Sequence, residues 1–195
     1  MGHGIFGYNI VPDSWYEAYI SWWDRRHGIK FEKDWLIFCT GVVPAISSTV
    51  RKLTMPGDEI VILTPVVNIF FNSIVNNGCK VCEVPLIYDG SAKTSEEAYR
   101  IDFDLLEEKL SRENTRLMIF CNPQNPVGRI WSKDELYKVG EICKRCGVTV
   151  LSDEIHCDLT DPEAEYVPFA SVSERCREVS ITAIAPTKAF NIAGL

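Results

Sequence analysis

Short apolar segments alternate regularly with amphipathic segments along this 195-residue chain. The apolar segments have the length of buried β-strands, and the segments between them have the spacing of helices that cover a sheet. This alternation favours an α/β fold, in which a mostly parallel sheet is flanked by helices. We predict strands at 35–39, 59–63, 80–84, 116–121, 148–151 and 179–184.

The helices between these strands are marked by local start and stop signals. Gly28 ends an aromatic-rich helix, and Pro44 suits the first turn of another because its missing N–H costs nothing there. Ser132 and Glu135 form a capping-box pattern that opens a helix ending near Cys146. We predict helices at 13–26, from 44, at 69–76, at 102–110 and at 132–146, and a polar loop at 89–100.

Charge and hydropathy exclude several classes of partner. The net charge is −7 and the pI is near 5.0, which argues against nucleic acid or an anionic membrane surface as a partner. No apolar run approaches the roughly 18 to 20 residues of a membrane span. The first residues lack a basic region followed by an apolar one, so we expect no signal peptide and a cytoplasmic protein. We expect one domain over 1–195.

Eight cysteines include two pairs with C-x-x-C spacing, Cys79/Cys82 and Cys143/Cys146. Two such pairs could form a structural zinc site if both lay on tight turns that converge. The first pair, however, lies in an extended-looking run, where positions i and i+3 face opposite sides, and the second closes a helix. We therefore interpret the cysteines as buried thiols, with no metal site, and keep zinc as the minor alternative.

Four chemically distinctive segments follow predicted strands, at 41–44, 122–129, 152–156 and 185–188. Each alone could be a turn, a cap or a surface lysine. Ligands of parallel sheets, however, bind outside the carboxyl ends of the strands, where all four segments would meet. We expect Asp153 and Lys188 to be a buried acid and a buried base there, a costly arrangement unless they are paired or bind something charged.

A phosphorylated pyridinium cofactor would satisfy all four segments. Its phosphate would lie on N–H groups at the helix start after Gly41. Asp153 would keep the pyridine nitrogen protonated, so that the ring acts as an electron sink. Asn125 could donate to the phenolate oxygen, and the amine of Lys188, kept reactive by an apolar and cationic setting, would form a Schiff base.

Five motifs occur in order along the chain: HGIFGY (3–8), GVVPAIS (41–47), NPQNPVGR (122–129), SDEIHCDL (152–159) and APTKAFNIAGL (185–195). Together they resemble the class I/II aminotransferase superfamily of fold type I pyridoxal-phosphate (PLP) enzymes, and most of all its MalY/PatB-like cystathionine beta-lyase branch. The resemblance covers essentially the whole chain and implies a PLP-dependent transferase-like large domain.

The resemblance also implies a role for each matching position. Lys188 would carry PLP and move the proton at the substrate Cα, and Asp153 would pair with the pyridine nitrogen. Asn125 would bind the ring hydroxyl, and His156 would line the ring region. The phosphate would be bound by the backbone N–H groups of two residues and, in a homodimer, by a tyrosine of the neighbouring subunit; these are Val42, Val43 and Tyr8.

The sequence departs from the family pattern in three respects. Val67 stands where an aromatic residue usually stacks on the pyridine ring, and Ala185 stands where a serine or threonine usually binds phosphate, which leaves Thr187 as the nearest hydroxyl. Family members are also much longer. We therefore expect a chain that is incomplete at both ends and lacks the small C-terminal domain with the arginine that binds the substrate carboxylate.

The function that the resemblance implies is a PLP-dependent carbon–sulfur β-lyase. It would use Lys188 to remove the Cα proton of cystathionine or a related cysteine conjugate and would release a thiol, pyruvate and ammonia. A PLP-dependent aminotransferase is the alternative, because it shares every step up to the carbanion. A non-catalytic fragment that keeps the PLP fold is a further alternative, favoured by Val67 and Ala185 and opposed by the retained Asp153 and Lys188.

Overall fold

A computed structural model describes residues 10–193, which form two compact units that divide after Cys39. The first unit contains helix α1, Asp13–His27, and a short 3₁₀ helix, Lys33–Trp35. As predicted, α1 ends at Gly28, whose φ of +69° is a left-handed conformation that glycine adopts at little cost. The predicted strand at 35–39 is wrong: Ile37 is 85% exposed, and an apolar run forms a strand only where another strand pairs with it.

The second unit is built on a five-stranded sheet with the order β2-β1-β5-β6-β7, in which every neighbouring pair is parallel. Two short strands, β3 and β4, pair antiparallel as a separate ribbon. This confirms the predicted class of fold. The strands are β1 Glu59–Thr64, β2 Lys80–Pro85, β3 Ile87–Tyr88, β4 Tyr99–Arg100, β5 Thr115–Cys121, β6 Thr149–Asp153 and β7 Ser180–Ala183.

Six helices accompany these strands in the described residues of the second unit. The prediction of a loop at 89–100 is wrong in part, because α4 and β4 lie within this range. Thr94 caps α4 by accepting the N–H of Glu97 at 3.3 Å. The helix predicted from Pro44 begins two residues earlier. The helices are α2 Val42–Leu53, α3 Ile69–Val75, α4 Ser95–Ala98, α5 Phe103–Leu110, α6 Lys133–Cys146 and α7 Glu174–Val179.

Both faces of the sheet are buried at its central strands, β1, β5 and β6. Alternate residues of β1 enter two different apolar cores: Ile60 and Ile62 pack with α2 and α3, whereas Val61 and Leu63 pack with α5 and α6. Such burial on both sides explains why the strands are continuous apolar runs. No helix of the described chain is long and apolar enough to cross a membrane.

The cysteines follow the same division into two cores. Cys79 belongs to the core with α2 and Cys82 to the core with α6, so their thiols lie on opposite faces of the sheet. Cys143 is fully buried, with its thiol 4.0 Å from the sulfur of Met118. Six of the eight cysteines are buried, as interpreted from the sequence, whereas Cys146 is half-buried and Cys39 is exposed, so the interpretation is wrong for Cys39.

The strand order places a crevice between β1 and β5. The chain leaves β1 toward β2 on one side, and the remaining sheet extends from β5 on the other side. In open α/β sheets, ligands bind at such a reversal, outside the carboxyl ends of the strands. The segments after β1, β5, β6 and β7 therefore define the candidate site.

Candidate active site at the carboxyl ends of the strands

The loops that follow β1 and β5 are bound directly to each other. The N–H of Val67 donates to the carbonyl of Asn125 at 3.1 Å. The side-chain amide of Gln124 donates to the carbonyls of Leu63 and Pro65 at 3.1 and 3.0 Å, and Gln124 is 1% exposed. These contacts fix Asn125 and Val67 relative to each other at the predicted crevice.

Cys121, the last residue of β5, also fixes the loop that follows this strand, through two hydrogen bonds of its thiol. Its thiol donates to the carbonyl of Pro123 at 3.1 Å and accepts the N–H of Asn125 at 3.4 Å. Gly128, with φ of +71°, closes the loop by donating its N–H to the carbonyl of Gln124 at 2.9 Å. Asn125 is left half-buried and accessible from the crevice.

Asp153 is the last residue of β6 and is buried, with 5% of its surface exposed. Burial raises the pKa of its carboxyl group to about 6, against the lowering effects of the Ile155 N–H, 3.2 Å from Oδ1, and of the charge of Lys188. Its carbonyl accepts the N–H of Asn122 at 3.0 Å, which ties the ends of β5 and β6 together. The site thus contains a poorly solvated acid that a bound cation would stabilise.

Lys188 follows β7 in a turn in which its carbonyl accepts the N–H of Asn191 at 3.2 Å. The expectation of a buried base is wrong, because Lys188 is exposed. Among the described strands, β7 lies at the edge of the sheet, so within residues 10–193 the segment after it is flanked on one side only. The lysine nevertheless lies close enough to lower the pKa of Asp153, and it adds to the effect of burial in lowering the pKa of the half-buried His156.

Helix α2 points its N-terminus toward this edge and packs beside β5, β6 and β7. Gly41 precedes it with φ of +149°, a conformation that residues with a side chain rarely adopt. The N–H groups of Val42 and Val43, in the first turn, have no acceptor within the helix. Val42 is buried and Val43 is 46% exposed, so a pair of backbone donors at the positive end of the helix dipole is available to an anion.

Four further positions named in the sequence analysis remain. Thr187 is half-buried next to Lys188, and Val67 and Ala185 are partly buried against the core that contains α2. Val67 thus offers an apolar contact, and Ala185 offers no hydroxyl. Tyr8 lies outside the described residues.

Sequence reasoning missed Gln124 and Glu154, two fully buried polar residues next to the predicted ones. The oxygen Oε1 of Gln124 has no hydrogen-bond partner among the described residues. The signal that could have found them is their position just after an apolar strand, since Glu154 follows β6 directly and Gln124 lies three residues after the last residue of β5. Together with the predicted residues they form a set that can bind a phosphate, an aromatic nitrogen cation and a carbonyl group.

Comparisons with known proteins identify the family of the chain. The chain matches the family model of class I and II aminotransferases over residues 4–195. It is 43% identical over 195 residues to cystathionine beta-lyase PatB of Bacillus subtilis, covering 100% of this chain and 49% of that protein.

Two solved structures are similar over nearly the whole chain. Cystalysin from Treponema denticola, which contains a pyridoxal 5′-phosphate cofactor, is 39% identical with a TM-score of 0.91, covering 97% of this chain and 47% of that one. The PLP-bound C-S lyase from Staphylococcus hominis is 36% identical with a TM-score of 0.87, covering 98% and 47%. The chain thus spans about half the length of these relatives, and it belongs to the class I and II aminotransferase family.

Proposed function

We propose that this chain carries the cofactor-binding half of a PLP-dependent carbon–sulfur β-lyase that acts on cystathionine or a related cysteine conjugate. The observation that carries the proposal is the buried carboxyl group of Asp153, which burial destabilises in its charged form. It lies at the carboxyl edge of the sheet with Lys188 within electrostatic reach. The names of the relatives, a cystathionine beta-lyase and a C-S lyase, support the choice of reaction.

The groups present fit PLP one by one. The first-turn N–H groups of Val42 and Val43 would bind the phosphate dianion, because these donors have no acceptor within the helix and lie at the positive end of α2. Asp153 pairs with the protonated ring nitrogen, and this cation replaces the solvent that burial has removed from the carboxylate. Asn125 donates to the ring oxygen. When bound, PLP supplies an electron sink for the pair released from the substrate Cα–H bond.

Lys188 is the only one of these groups that moves a proton. Lys188 would hold the cofactor through its amine and would take up the proton from the substrate Cα. The electrons of the C–S bond would leave with the thiolate, which takes up a proton, and one water would convert the remaining three-carbon fragment to pyruvate and ammonia. His156 and Thr187 line the cofactor. Val67 excludes water from one face of the ring, because it is apolar and packed against the core.

We also propose that the protein works in the cytoplasm as a homodimer. All eight cysteines, each within the described residues, are free thiols, which fits a reducing compartment. The dimer is supported by the resemblance at Tyr8, which assigns that residue to the partner's cofactor. Sedimentation velocity with and without PLP tests the assembly, and a monomer under both conditions would contradict the dimer.

The first test of the proposal is the absorbance spectrum of the purified chain with added PLP. We expect a visible band that requires Lys188 and that borohydride bleaches. After this reduction, PLP should be covalently attached to the peptide that contains Lys188. The Lys188→Ala variant is the control for nonspecific reaction at surface lysines. Absence of a specific attachment in the wild type would support the non-catalytic alternative.

The second test separates the two catalytic outcomes. L-cystathionine is added to this chain and to any longer protein that contains it, and pyruvate and free thiol are measured together. A lyase releases both in equal amounts over many turnovers. An aminotransferase instead converts the bound cofactor stoichiometrically to its amine form and stops until a keto acid is added.

A further inference from the structure

Glu154, the residue after Asp153, is a second buried acid that the proposed reaction does not use. Its side chain is 0% exposed, yet both carboxyl oxygens have donors. Oε1 accepts the hydroxyl of Ser152 at 2.7 Å and the N–H of Phe169 at 3.1 Å, and Oε2 accepts the hydroxyl of Tyr166. A buried carboxylate is tolerated when charge-assisted hydrogen bonds of this kind replace its solvent.

These contacts join the end of β6 to the segment 166–169, which lies far from it in the sequence. The same segment is bound a second time, by the side-chain amide of Asn122, which donates to the carbonyl of Val167 at 3.1 Å. The backbone N–H of Glu154 donates to the carbonyl of Ala183 in β7 at 2.9 Å. Residue 154 is therefore fixed both through its side chain and through its backbone.

Asp153 and Glu154 face opposite sides of the sheet, as successive strand residues do. Phe169, a partner of Glu154, belongs to the core with α6, whereas Leu151 and Ile155 pack in the core with α2. Glu154 thus lies behind the candidate site and has its hydrogen-bond partners on the other face of the sheet.

We propose that Glu154 is a positioning residue: its hydrogen bonds to Ser152, Tyr166 and Phe169 hold the 153–156 turn, so that Asp153 and His156 face the cofactor. The inference deepens the proposed function and, for its role in cofactor binding, rests on it. The turn is defined by two hydrogen bonds, from the Ile155 N–H to Oδ1 of Asp153 at 3.2 Å and from the Cys157 N–H to the Glu154 carbonyl at 3.0 Å.

The network also has an electrostatic consequence. Burial raises the pKa of Glu154 to about 7, its hydrogen-bond donors lower it, and the charge of Asp153 raises it further. The other ionisable groups nearby are Tyr166 on the facing segment and Cys157 and Asp158 in the following turn. Glu154 therefore gains its negative charge near neutral pH, and that charge stabilises a cation bound at Asp153.

The first experiment needs no cofactor. Amide hydrogen exchange of Ile155 and Cys157 is compared in wild type, Tyr166→Phe and Glu154→Gln, with Val139→Ala as a control in α6 that weakens the same core away from the turn. We expect exchange at the turn to accelerate about tenfold in Tyr166→Phe, the change in a local opening equilibrium when one charge-assisted hydrogen bond is lost. Unchanged exchange, or equal acceleration in Val139→Ala, would overturn the positioning role.

The second experiment uses the PLP-loaded protein and reads the pH midpoint of the Lys188-dependent visible band. Glu154→Gln keeps the shape and most of the hydrogen bonds but removes the charge. We expect the midpoint to fall by on the order of one pH unit, because the cationic form loses a neighbouring anion. An unchanged midpoint would overturn the electrostatic part. If the wild type shows no band, the proposed function fails, and the exchange experiment still decides the role of Glu154.

Discussion

Replacement of Asp153 by asparagine should stabilise the cofactor-free protein in a pH-dependent way. Burial raises the pKa of this carboxyl group from 3.8 to about 6. The unfolded chain therefore ionises Asp153 at lower pH than the folded chain does. The stability of the wild type falls as the pH rises from about 4 to about 6 and stays reduced above that window.

The size of the effect follows from the two pKa values. A difference of about two units corresponds to about 3 kcal/mol of unfolding free energy, present in full above about pH 7. At about pH 4.5 the loss of unfolding free energy is only about 1 kcal/mol, because this pH is slightly above the pKa of Asp153 in the unfolded chain and still below its pKa in the folded chain. Asparagine does not titrate in this range, so the stability gap between variant and wild type should grow by about 2 kcal/mol between about pH 4.5 and 7.5.

Urea unfolding of both cofactor-free proteins across this range measures the gap directly. Any constant cost of burying the asparagine amide shifts all points equally and leaves the change with pH intact. The same substitution should weaken PLP binding, since the partner of the ring nitrogen is lost. A gap that is flat with pH, or that closes as the pH rises, would show that Asp153 is not the poorly solvated acid described above.

Three further predictions concern the loops at the site and the helices α6 and α7, and each is tested by urea unfolding. Gln124→Leu should lower the unfolding free energy by about 1–3 kcal/mol, because the carbonyls of Leu63 and Pro65 lose their donor in a buried position. Equal stability of variant and wild type would mean that the side-chain amide of Gln124 does not hold the two loops together. A Cβ added at Gly140 would lie 2.3 Å from the sulfur of Cys176, so Gly140→Ala should cost about 1–3 kcal/mol. Cys176→Ala should recover most of that loss, and a double variant no better than Gly140→Ala would contradict the clash. Ser132→Ala should cost about 1 kcal/mol by opening the capping box of α6, and no cost would mean that Glu135 alone caps the helix.

The elements that the sequence predicted correctly are those specified by nearby residues. The capping box of Ser132 and Glu135 acts within one helical turn, and the structure contains both of its hydrogen bonds. The buried strands are recognisable because both faces are apolar. The strand predicted at 35–39 failed because its apolar run resembles a strand locally, while pairing depends on residues elsewhere in the chain.

The candidate site was predictable only in part, for the same reason. Asp153, Asn125 and Lys188 could be recognised from their motifs and from their position after strands. The exposure of Lys188 depends on β7 being an edge strand, and strand order is set by packing between distant segments. The contact of Gln124 with Leu63 spans 61 residues, and no local pattern predicts such a contact.

The two adjacent buried acids, Asp153 and Glu154, differ in the number of hydrogen bonds to their carboxyl groups, and this difference indicates which of them binds a ligand. Glu154 has three donors, from Ser152, Tyr166 and Phe169, which occupy both of its carboxyl oxygens. Asp153 has, among the described residues, one hydrogen bond to its carboxyl group, and it is the last residue of β6, at the carboxyl edge of the sheet. Burial raises the pKa of both acids, but Asp153 keeps unused acceptor positions at the edge where ligands of parallel sheets bind. Asp153, rather than Glu154, is therefore where the cofactor's positive charge is expected.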